Sequence, residues 1–212
     1  MIDMHTHLLP GIDDGVSEID ETRKLLDAYA EAGFRWLAVT PHVDHPTVHT
    51  RVDQIREAYR QVKEEARQRG ITLLLGSELY VTGARPQPGI PLCGRFQMVE
   101  FHTAIKPLFA NDMVFHFGML GLTVILAHVD RYRWFTLNDP SIQRMREMGV
   151  LFQMNIDAVQ TQRGQTLLES GMIDFLATDN HGSERSPVSL ETFSSYPAMM
   201  EKGLRLLSLQ QN

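Results

Sequence analysis

Residues 35–42 read RWLAVTPH, a short apolar run that stops at a proline and a histidine. An apolar run of this length is typical of a buried strand that ends at a loop. Residues 20–33, just before it, space their apolar side chains along one face of a helix and end at a glycine. We therefore expect the chain to be built from helices that each lead into a buried strand.

The same unit recurs along the chain and predicts the fold class. Besides the strand at 35–40, apolar runs predict strands at 2–4, 71–75, 96–99, 123–127, 150–154 and 173–178. Helix-like spacing between them covers residues 51–69, 110–121, 140–149 and 162–171. Regular alternation of strand and helix implies parallel pairing, and about seven such units favour a small α/β barrel over an open sheet.

The composition narrows the class of protein further. A chain of 212 residues is long enough for one sizeable core, so we expect a single domain over residues 1–212. Its net charge of −6 argues against a protein that holds nucleic acid through a basic surface. Cys93 is the single cysteine, the first residues lack the features of a signal peptide, and no apolar run reaches about 18 residues. We therefore expect a cytoplasmic protein without membrane insertion, and the sequence leaves its oligomeric state open.

The histidines of the chain are concentrated at the ends of predicted strands. Five of the nine histidines lie there, together with carboxylates. The residues at these ends are His5, His7, His42, Glu78, Glu100, His128, Asp179 and His181. In a parallel α/β barrel the carboxyl ends of all strands open on one face. Six of the seven predicted strands therefore deliver an imidazole or a carboxylate to one site.

Two pairs of these residues share one spacing. His5 and His7 lie two residues apart on a predicted strand, which points both imidazoles to the same side, where they can bind one metal ion. Asp179 and His181 repeat this spacing at the last strand. One such pair occurs easily by chance, whereas two pairs together with Glu78, Glu100, His42 and His128 favour a metal site.

The other strand-end residues also have ordinary structural explanations. Glu78 and Glu100 could be solvated loop acids, although each follows an apolar strand, where an unpaired carboxylate is costly unless it meets a cation. His42 could cap a loop, and His128 could be a hydrogen-bonded core histidine. Taken together with the two pairs, these four residues are better explained as metal ligands.

Several further polar residues fit the strand-end pattern less well. Asp14 lies in a DDG stretch that is typical of a turn, and we nevertheless count it among the candidate ligands. We expect His102 and His116 to be structural or surface residues. His45 and His49 are weak candidates for a position behind the ligands.

The number of candidates points to more than one ion. With Asp14 the set has nine members, which exceeds the four to six ligands that a single ion takes. Two or three ions bridged by a carboxylate such as Glu78 and by water fit the number better. Ligation by imidazole and carboxylate without thiolate suits Mn, Fe or Zn.

Clusters of metal ions usually hydrolyse phosphoesters or amides. Arg131 lies three residues beyond His128, and Arg185 lies four beyond His181, so both could reach the site and grip phosphate oxygens. Both could equally be surface arginines. A cysteine-nucleophile phosphatase is excluded, because Val99 stands where an arginine would have to follow Cys93.

Six stretches of the sequence resemble one known family. They are MIDMHTHLLPGIDDG at 1–15, TPH at 40–42, GSELY at 76–80, VEF at 99–101, AHVDRY at 127–132 and TDNH at 178–181. They resemble the PHP (polymerase and histidinol phosphatase) superfamily, and within it most closely the bacterial manganese-dependent protein tyrosine phosphatases of capsule and exopolysaccharide loci. The resemblance spans nearly the whole chain in the right order.

The resemblance implies a distorted seven-stranded (β/α)7 barrel with a trinuclear site. It also implies that Asp14 is a metal ligand and that Arg131 and Arg185 bind phosphate. The chain departs from the family at Gly182, where an asparagine is usual, and in the loop after His42, which lacks the usual basic and aromatic residues.

We expect a metal-dependent phosphomonoesterase that acts on phosphotyrosine and regulates capsular or exopolysaccharide biosynthesis. Manganese is the expected ion, and the tyrosine-rich tail of a bacterial tyrosine kinase is the substrate that the resemblance implies. For a proton donor to the leaving group, the candidates are His42 and His181. Three alternatives stay open: another PHP phosphoesterase acting on histidinol phosphate or a nucleotide, an amidohydrolase-like enzyme, and a catalytically silent metal-binding regulator.

Overall fold

The computed structural model describes residues 1–182 and 190–207 and shows strands alternating with helices. The strands are β1 (Ile2–Thr6), β2 (Trp36–Val39), β3 (His42–Val43), β4 (Thr72–Leu75), β5 (Glu78–Tyr80), β6 (Phe96–Glu100), β7 (Thr123–Leu126), β8 (Leu151–Asn155) and β9 (Phe175–Ala177). The α-helices are α1 (Ile19–Glu31), α2 (Val52–Gln68), α3 (Ala110–Met119), α4 (Pro140–Glu147), α5 (Gln162–Glu169) and α6 (Pro197–Leu206). Short 3₁₀ helices cover Val129–Arg131, Ile156–Gln160 and Leu190–Ser195.

The described residues contain nine strand segments where seven strands were expected. The prediction missed two short segments, β3 and β5, each of which follows a break in the chain. Pro41 lies in the first break and has no amide hydrogen to give to a sheet ladder. Gly76 and Ser77 form the second break. Both short segments run parallel and pair in register, with His42 opposite Glu78.

All the paired strands run parallel, as the alternation of strand and helix predicts. One sheet has the order β1-β2-β4, and the other has the order β3-β5-β6-β7-β8-β9. The end of β9 lies beside β1, where a parallel bridge joins Thr6 to Asn180. The backbone amide of Asp179 donates a hydrogen bond to the carbonyl of His5 at 2.9 Å. The backbone amide of His7 donates one to the carbonyl of Asn180 at 2.8 Å. The first and last strands are therefore held together at their carboxyl ends.

The helices cover the outside of the strands and bury an apolar core. Leu26 and Tyr29 of α1 are fully buried, as are Val62 of α2 and Phe117 of α3. Gly121 follows α3 with a φ of +75°, in the left-handed region that a glycine adopts without strain after a helix. Within residues 1–182 and 190–207, no helix has the length and hydrophobicity needed to cross a bilayer.

Candidate metal centre

The structure brings all nine predicted metal ligands together at the carboxyl ends of the strands. They form overlapping groups in which the nitrogen and oxygen atoms all lie within 4.8 Å of one another. The groups are His5, His7, Glu78 and Asp179; His7, Asp14, His42 and His181; Glu78, Glu100 and His128; and His42, His45 and Glu100. The strand-end reasoning thus located the residues, and their role as ligands stays a prediction.

The innermost group has the spacing of a metal site. His5 Nε2 lies 3.1 Å from Glu78 Oε2, 3.3 Å from Asp179 Oδ1 and 3.1 Å from His7 Nε2. His7 Nε2 lies 3.4 Å from each of the same two carboxylate oxygens. Four atoms placed tetrahedrally about 2.1 Å from one ion lie about 3.4 Å apart. The four side chains are therefore arranged as ligands of one ion would be.

Glu78 belongs to two groups at once. Its Oε2 faces the innermost group, whereas its Oε1 lies 2.8 Å from His128 Nε2. The same His128 nitrogen lies 3.6 Å from Glu100 Oε1. Because Glu78 turns one oxygen to each side, it has the geometry of a bridging carboxylate, as its sequence position suggested.

The outer group opens toward solvent. Asp14 Oδ1 lies 3.4 Å from His42 Nε2 and 3.5 Å from His181 Nε2. The rings of His7 and His181 stack with their centroids 3.9 Å apart. Asp14 is exposed, whereas the three histidines are buried. The site therefore has a buried floor and an accessible mouth.

Buried polar atoms without a hydrogen-bond partner are concentrated in this centre. Over the described part of the chain there are six, and five belong to His42, Glu100, His128, Asp179 and His181. Leaving such atoms unpaired is costly, and native proteins nearly always satisfy them. Four of these five atoms lie within 4 Å of other candidate ligands, the exception being His128 Nδ1, and cations bound among them would satisfy those four. The residues present therefore fit a metal cluster.

Burial and close contacts shift the pKa values of several groups in the site. Burial opposes the charge on Glu78, but the positive charges of His5 and His128 outweigh it and hold the pKa of Glu78 well below its usual range. Burial and the negative charge of Glu78 raise the pKa of Glu100 to about 7. Burial lowers the pKa of His42 to about 4, which keeps its imidazole neutral as a metal ligand requires.

Asp13 contacts the ring of His7 and the backbone of His42 and was not predicted. Its Oδ2 lies 2.6 Å from His7 Nδ1 and accepts a hydrogen bond from the His42 amide at 3.0 Å. A carboxylate on one ring nitrogen fixes a histidine so that the other nitrogen faces the metal. In the sequence, Asp13 is the first aspartate of the DDG stretch at 13–15, and that stretch is more simply interpreted as a turn.

Gln153 holds the opposite side of the centre and was also missed. Its Oε1 lies 3.1 Å from His5 Nδ1 and accepts a hydrogen bond from the His128 amide at 2.6 Å. His128 adopts a left-handed conformation with a φ of +31°, which is uncommon for a residue other than glycine, and Gln153 accepts its amide there. A glutamine inside an apolar strand was the available signal, and the residues that it contacts could not be read from the sequence.

His45 lies closer to the centre than the sequence suggested. Its ring centroid is 4.6 Å from that of His42, and its Nε2 is 3.8 Å from Glu100 Oε2. Burial lowers the pKa of His45. His49 is exposed, and His116 instead contacts a backbone carbonyl away from the centre.

One of the two predicted phosphate-binding arginines can be placed. A guanidinium nitrogen of Arg131 lies 2.5 Å from Asp179 Oδ2, and the side chain is 44% exposed. Arg131 therefore lies at the mouth, in contact with a candidate metal ligand and open to a substrate. Arg185 lies outside the described residues.

The parallel α/β fold and this cluster together place the chain in a class of α/β proteins that have a candidate polynuclear metal centre at the carboxyl ends of their strands. The family profile described as capsular polysaccharide synthesis, CpsB/CapC, matches residues 1–202. The chain belongs to this family, which confirms the resemblance seen in its sequence motifs.

Individual relatives agree with this family. The tyrosine-protein phosphatase CpsB of Streptococcus pneumoniae is 26% identical over an alignment of 209 positions, with a coverage of 88% of this chain and 85% of CpsB. The tyrosine-protein phosphatase YwqE of Bacillus subtilis is 25% identical over an alignment of 196 positions, with a coverage of 85% of this chain and 77% of YwqE.

Solved structures extend the likeness to the fold. One crystal structure belongs to a set that covers YwqE of B. subtilis and CpsB of S. pneumoniae, which are described as metal-dependent tyrosine phosphatases. It superimposes on this chain with a TM-score of 0.83 at 21% identity, and the match covers 100% of this chain and 96% of the other. A histidinol phosphate phosphatase of Lactococcus lactis gives a TM-score of 0.57 at 10% identity, over 96% and 95% of the two chains.

Proposed function

We propose that this protein is a metal-dependent protein tyrosine phosphatase that acts in capsular or exopolysaccharide biosynthesis. The observation that carries the proposal is the cluster around Glu78, whose two oxygens face different groups of candidate ligands. The family match supports the link to polysaccharide synthesis, and the relatives named as tyrosine-protein phosphatases support the substrate.

Two or three divalent ions fit the centre, with manganese first and iron or zinc compatible with the same ligands. The residues that would hold them are His5, His7, Asp14, His42, Glu78, Glu100, His128, Asp179 and His181. Such ions, when bound, lower the pKa of a water molecule and neutralise charge on phosphoryl oxygens. The chain contributes a buried floor that keeps these side chains in place.

The arginines supply the protein's own grip on the phosphoryl group. Arg131 is held at the mouth by Asp179 and offers the remaining guanidinium N–H groups to phosphate oxygens. We assign Arg185 the same function on the basis of its sequence position. Negative charge develops on the phosphoryl oxygens in the transition state of phosphoryl transfer. Guanidinium groups that already lie beside these oxygens stabilise that charge and so lower the barrier.

The proposal extends to the architecture and the setting of the protein. We infer one domain over residues 1–212 and a distorted seven-stranded barrel in which β2 with β3, and β4 with β5, each act as one interrupted strand. The contact between β1 and β9 supports closure of this barrel. We place the protein in the cytoplasm, where the tyrosine-rich tail of a bacterial kinase would be its partner.

A panel of phosphate esters tests the function. Protein loaded with manganese is assayed on a phosphotyrosine peptide, the matching phosphoserine peptide, histidinol phosphate and a nucleotide monophosphate. We expect the phosphotyrosine peptide to be the preferred substrate and Asp179→Ala to abolish its turnover. Preference for histidinol phosphate or the nucleotide would assign a different phosphoesterase, and no turnover of any ester would indicate a silent metal-binding protein.

A further inference from the structure

His45 lies at the rim of the metal centre in a place that none of the family motifs covers. It follows β3, and its side chain is 18% exposed. One face of its ring lies against His42, and the ring of Tyr80 meets it edge-on with the centroids 5.1 Å apart. His45 is therefore packed in position and still reachable from solvent.

The backbone around His45 fixes the direction of its ring. Asp44 adopts a left-handed conformation with a φ of +56°, which turns the chain just before His45. Pro46 follows and restricts His45 to an extended conformation. The amide of Val48 donates to the carbonyl of His45 at 3.4 Å, which closes a four-residue turn with proline at its second position.

The hydrogen bonds of His45 determine which ring nitrogen carries the proton. The backbone amide of Thr47 donates to His45 Nδ1 at 3.3 Å, and the Thr47 hydroxyl lies 3.0 Å from the same nitrogen. A backbone amide can only donate, so Nδ1 holds a lone pair and the neutral ring carries its proton on Nε2. A metal ligand needs a lone pair on the coordinating nitrogen. His45 Nε2 therefore presents an N–H bond and not a coordination site.

We propose that His45 donates its Nε2–H hydrogen bond to the phenolic oxygen that leaves phosphorus, an inference that rests on the proposed phosphatase function. The innermost candidate ligands are fully buried, so a tyrosine carried by another protein can approach only from the solvent side. His45 is a donor on that side, beside Glu100 and Tyr80, whereas the proposed function commits Arg131 to the phosphate oxygens. The phenolic oxygen would thus lie between the buried centre and the rim.

The chemical step balances without a proton leaving the histidine. The oxygen of a water molecule forms a bond to phosphorus, and the protons of that water remain with the product phosphate. The bond from phosphorus to the phenolic oxygen breaks, and its electron pair stays on that oxygen. The Nε2–H group stabilises the phenolate by a charge-assisted hydrogen bond, and the phenolate takes its proton from solvent after release. Because free tyrosine has a pKa of about 10, its phenolate is a strong base, and a hydrogen-bond donor stabilises it more than it stabilises a weakly basic leaving group.

Aryl phosphates with different leaving groups test this function of His45. The substrates are p-nitrophenyl phosphate, whose leaving group is a weak base, phenyl phosphate, and a phosphotyrosine peptide. We expect His45→Phe to lower kcat/KM about 10- to 100-fold for the last two esters and less than about threefold for the first. His45→Gln, which offers an amide N–H at a similar position, should restore part of the loss. His49→Phe on the same exposed loop is the control and should leave all three rates unchanged.

Metal analysis separates this proposal from a ligand role. The metal content per chain of His45→Phe should equal that of the unchanged protein, and the melting temperatures should agree. Loss of a metal equivalent, or an equal fall in rate for all three esters, would overturn the proposal. If the unchanged protein hydrolyses the aryl esters but not the peptide, the phosphotyrosine assignment fails, while the leaving-group comparison still decides the function of His45.

Discussion

At the residue scale, each strand-end side chain could be predicted, but its neighbours could not. A histidine or carboxylate directly after an apolar strand is visible in one sequence, because strand ends in a parallel fold meet on one face. Asp13, Gln153 and His45 each have a visible sequence signal, but the residues that they contact become clear only in the folded chain. The contacts that surround the candidate ligands were therefore not predicted, whereas the candidate ligands lie together as predicted and their binding of metal stays a prediction.

Glu78 is the residue whose charge matters most for assembling the centre. We expect Glu78→Gln to keep the shape of the side chain and to lower the metal content by at least one ion per chain, because an amide nitrogen replaces one of two facing oxygens. Activity should fall by more than about 100-fold. Elemental analysis and steady-state kinetics measure both effects. Glu57→Gln on the exposed face of α2 is the control, and a full metal content in Glu78→Gln would refute the bridging role.

Substitutions of Arg131 test whether the protein binds the phosphate group through this side chain, separately from any bound metal. We expect Arg131→Ala to lower kcat/KM about 10- to 100-fold and to weaken inhibition by inorganic phosphate, with the metal content preserved. Arg131→Lys should recover only part of the activity, because an ammonium cannot form the two-pronged contact. Arg133→Ala, two residues along and also exposed, is the matched control. Equal effects of Arg131→Ala and Arg133→Ala would show that Arg131 has no special function.

At the scale of elements, the pattern of helices and long strands was predictable and the short strands were not. The β3 segment has two residues and β5 has three, which is too short for a hydrophobic period to appear. Both exist because neighbouring strands pair with them, which is a property of the assembled sheet. These two segments nevertheless carry His42 and Glu78, so the least predictable elements hold part of the candidate site.

Two glycines in helices give a matched test of the packing of these elements. A Cβ added at Gly164 in α5 would lie 1.9 Å from the carbonyl oxygen of Ala158, whereas one added at Gly118 in α3 would meet nothing within 4 Å. We expect Gly164→Ala to destabilise the fold by more than about 2 kcal/mol, because backbone must move. Gly118→Ala should stabilise it by about 0.5–1 kcal/mol. Urea denaturation measures both, and equal stabilities of the two variants would contradict the packing of α5.

At the scale of the whole molecule, the site exists because the first and last strands meet. His5 in β1 and Asp179 after β9 come from opposite ends of the described chain, and the β1–β9 contact places them 3.3 Å apart. Alternation of strands and helices predicts that parallel strands share one face, but it does not say which two strands close the arrangement. The structure supplies that closure.

Ion binding should therefore stabilise the whole fold. Removing the ions takes away the positive charge that the clustered carboxylates would neutralise, so we expect the melting temperature to fall after treatment with a chelator. Adding manganese back should raise the melting temperature in a concentration-dependent way. Differential scanning fluorimetry follows both changes. Glu78→Gln should show a weaker response than the unchanged protein, and a melting temperature insensitive to chelator and metal would contradict a metal centre at this place.

The most direct measurement is a titration of the metal-free protein with manganese, following bound metal and hydrolysis of a phosphotyrosine peptide in the same samples. We predict that two or three ions bind per chain and that activity appears only as the cluster fills. Iron and zinc titrated in the same way would identify which ion supports the highest rate. Full activity in the metal-free protein, or saturation with metal and no hydrolysis of the peptide, would contradict the account.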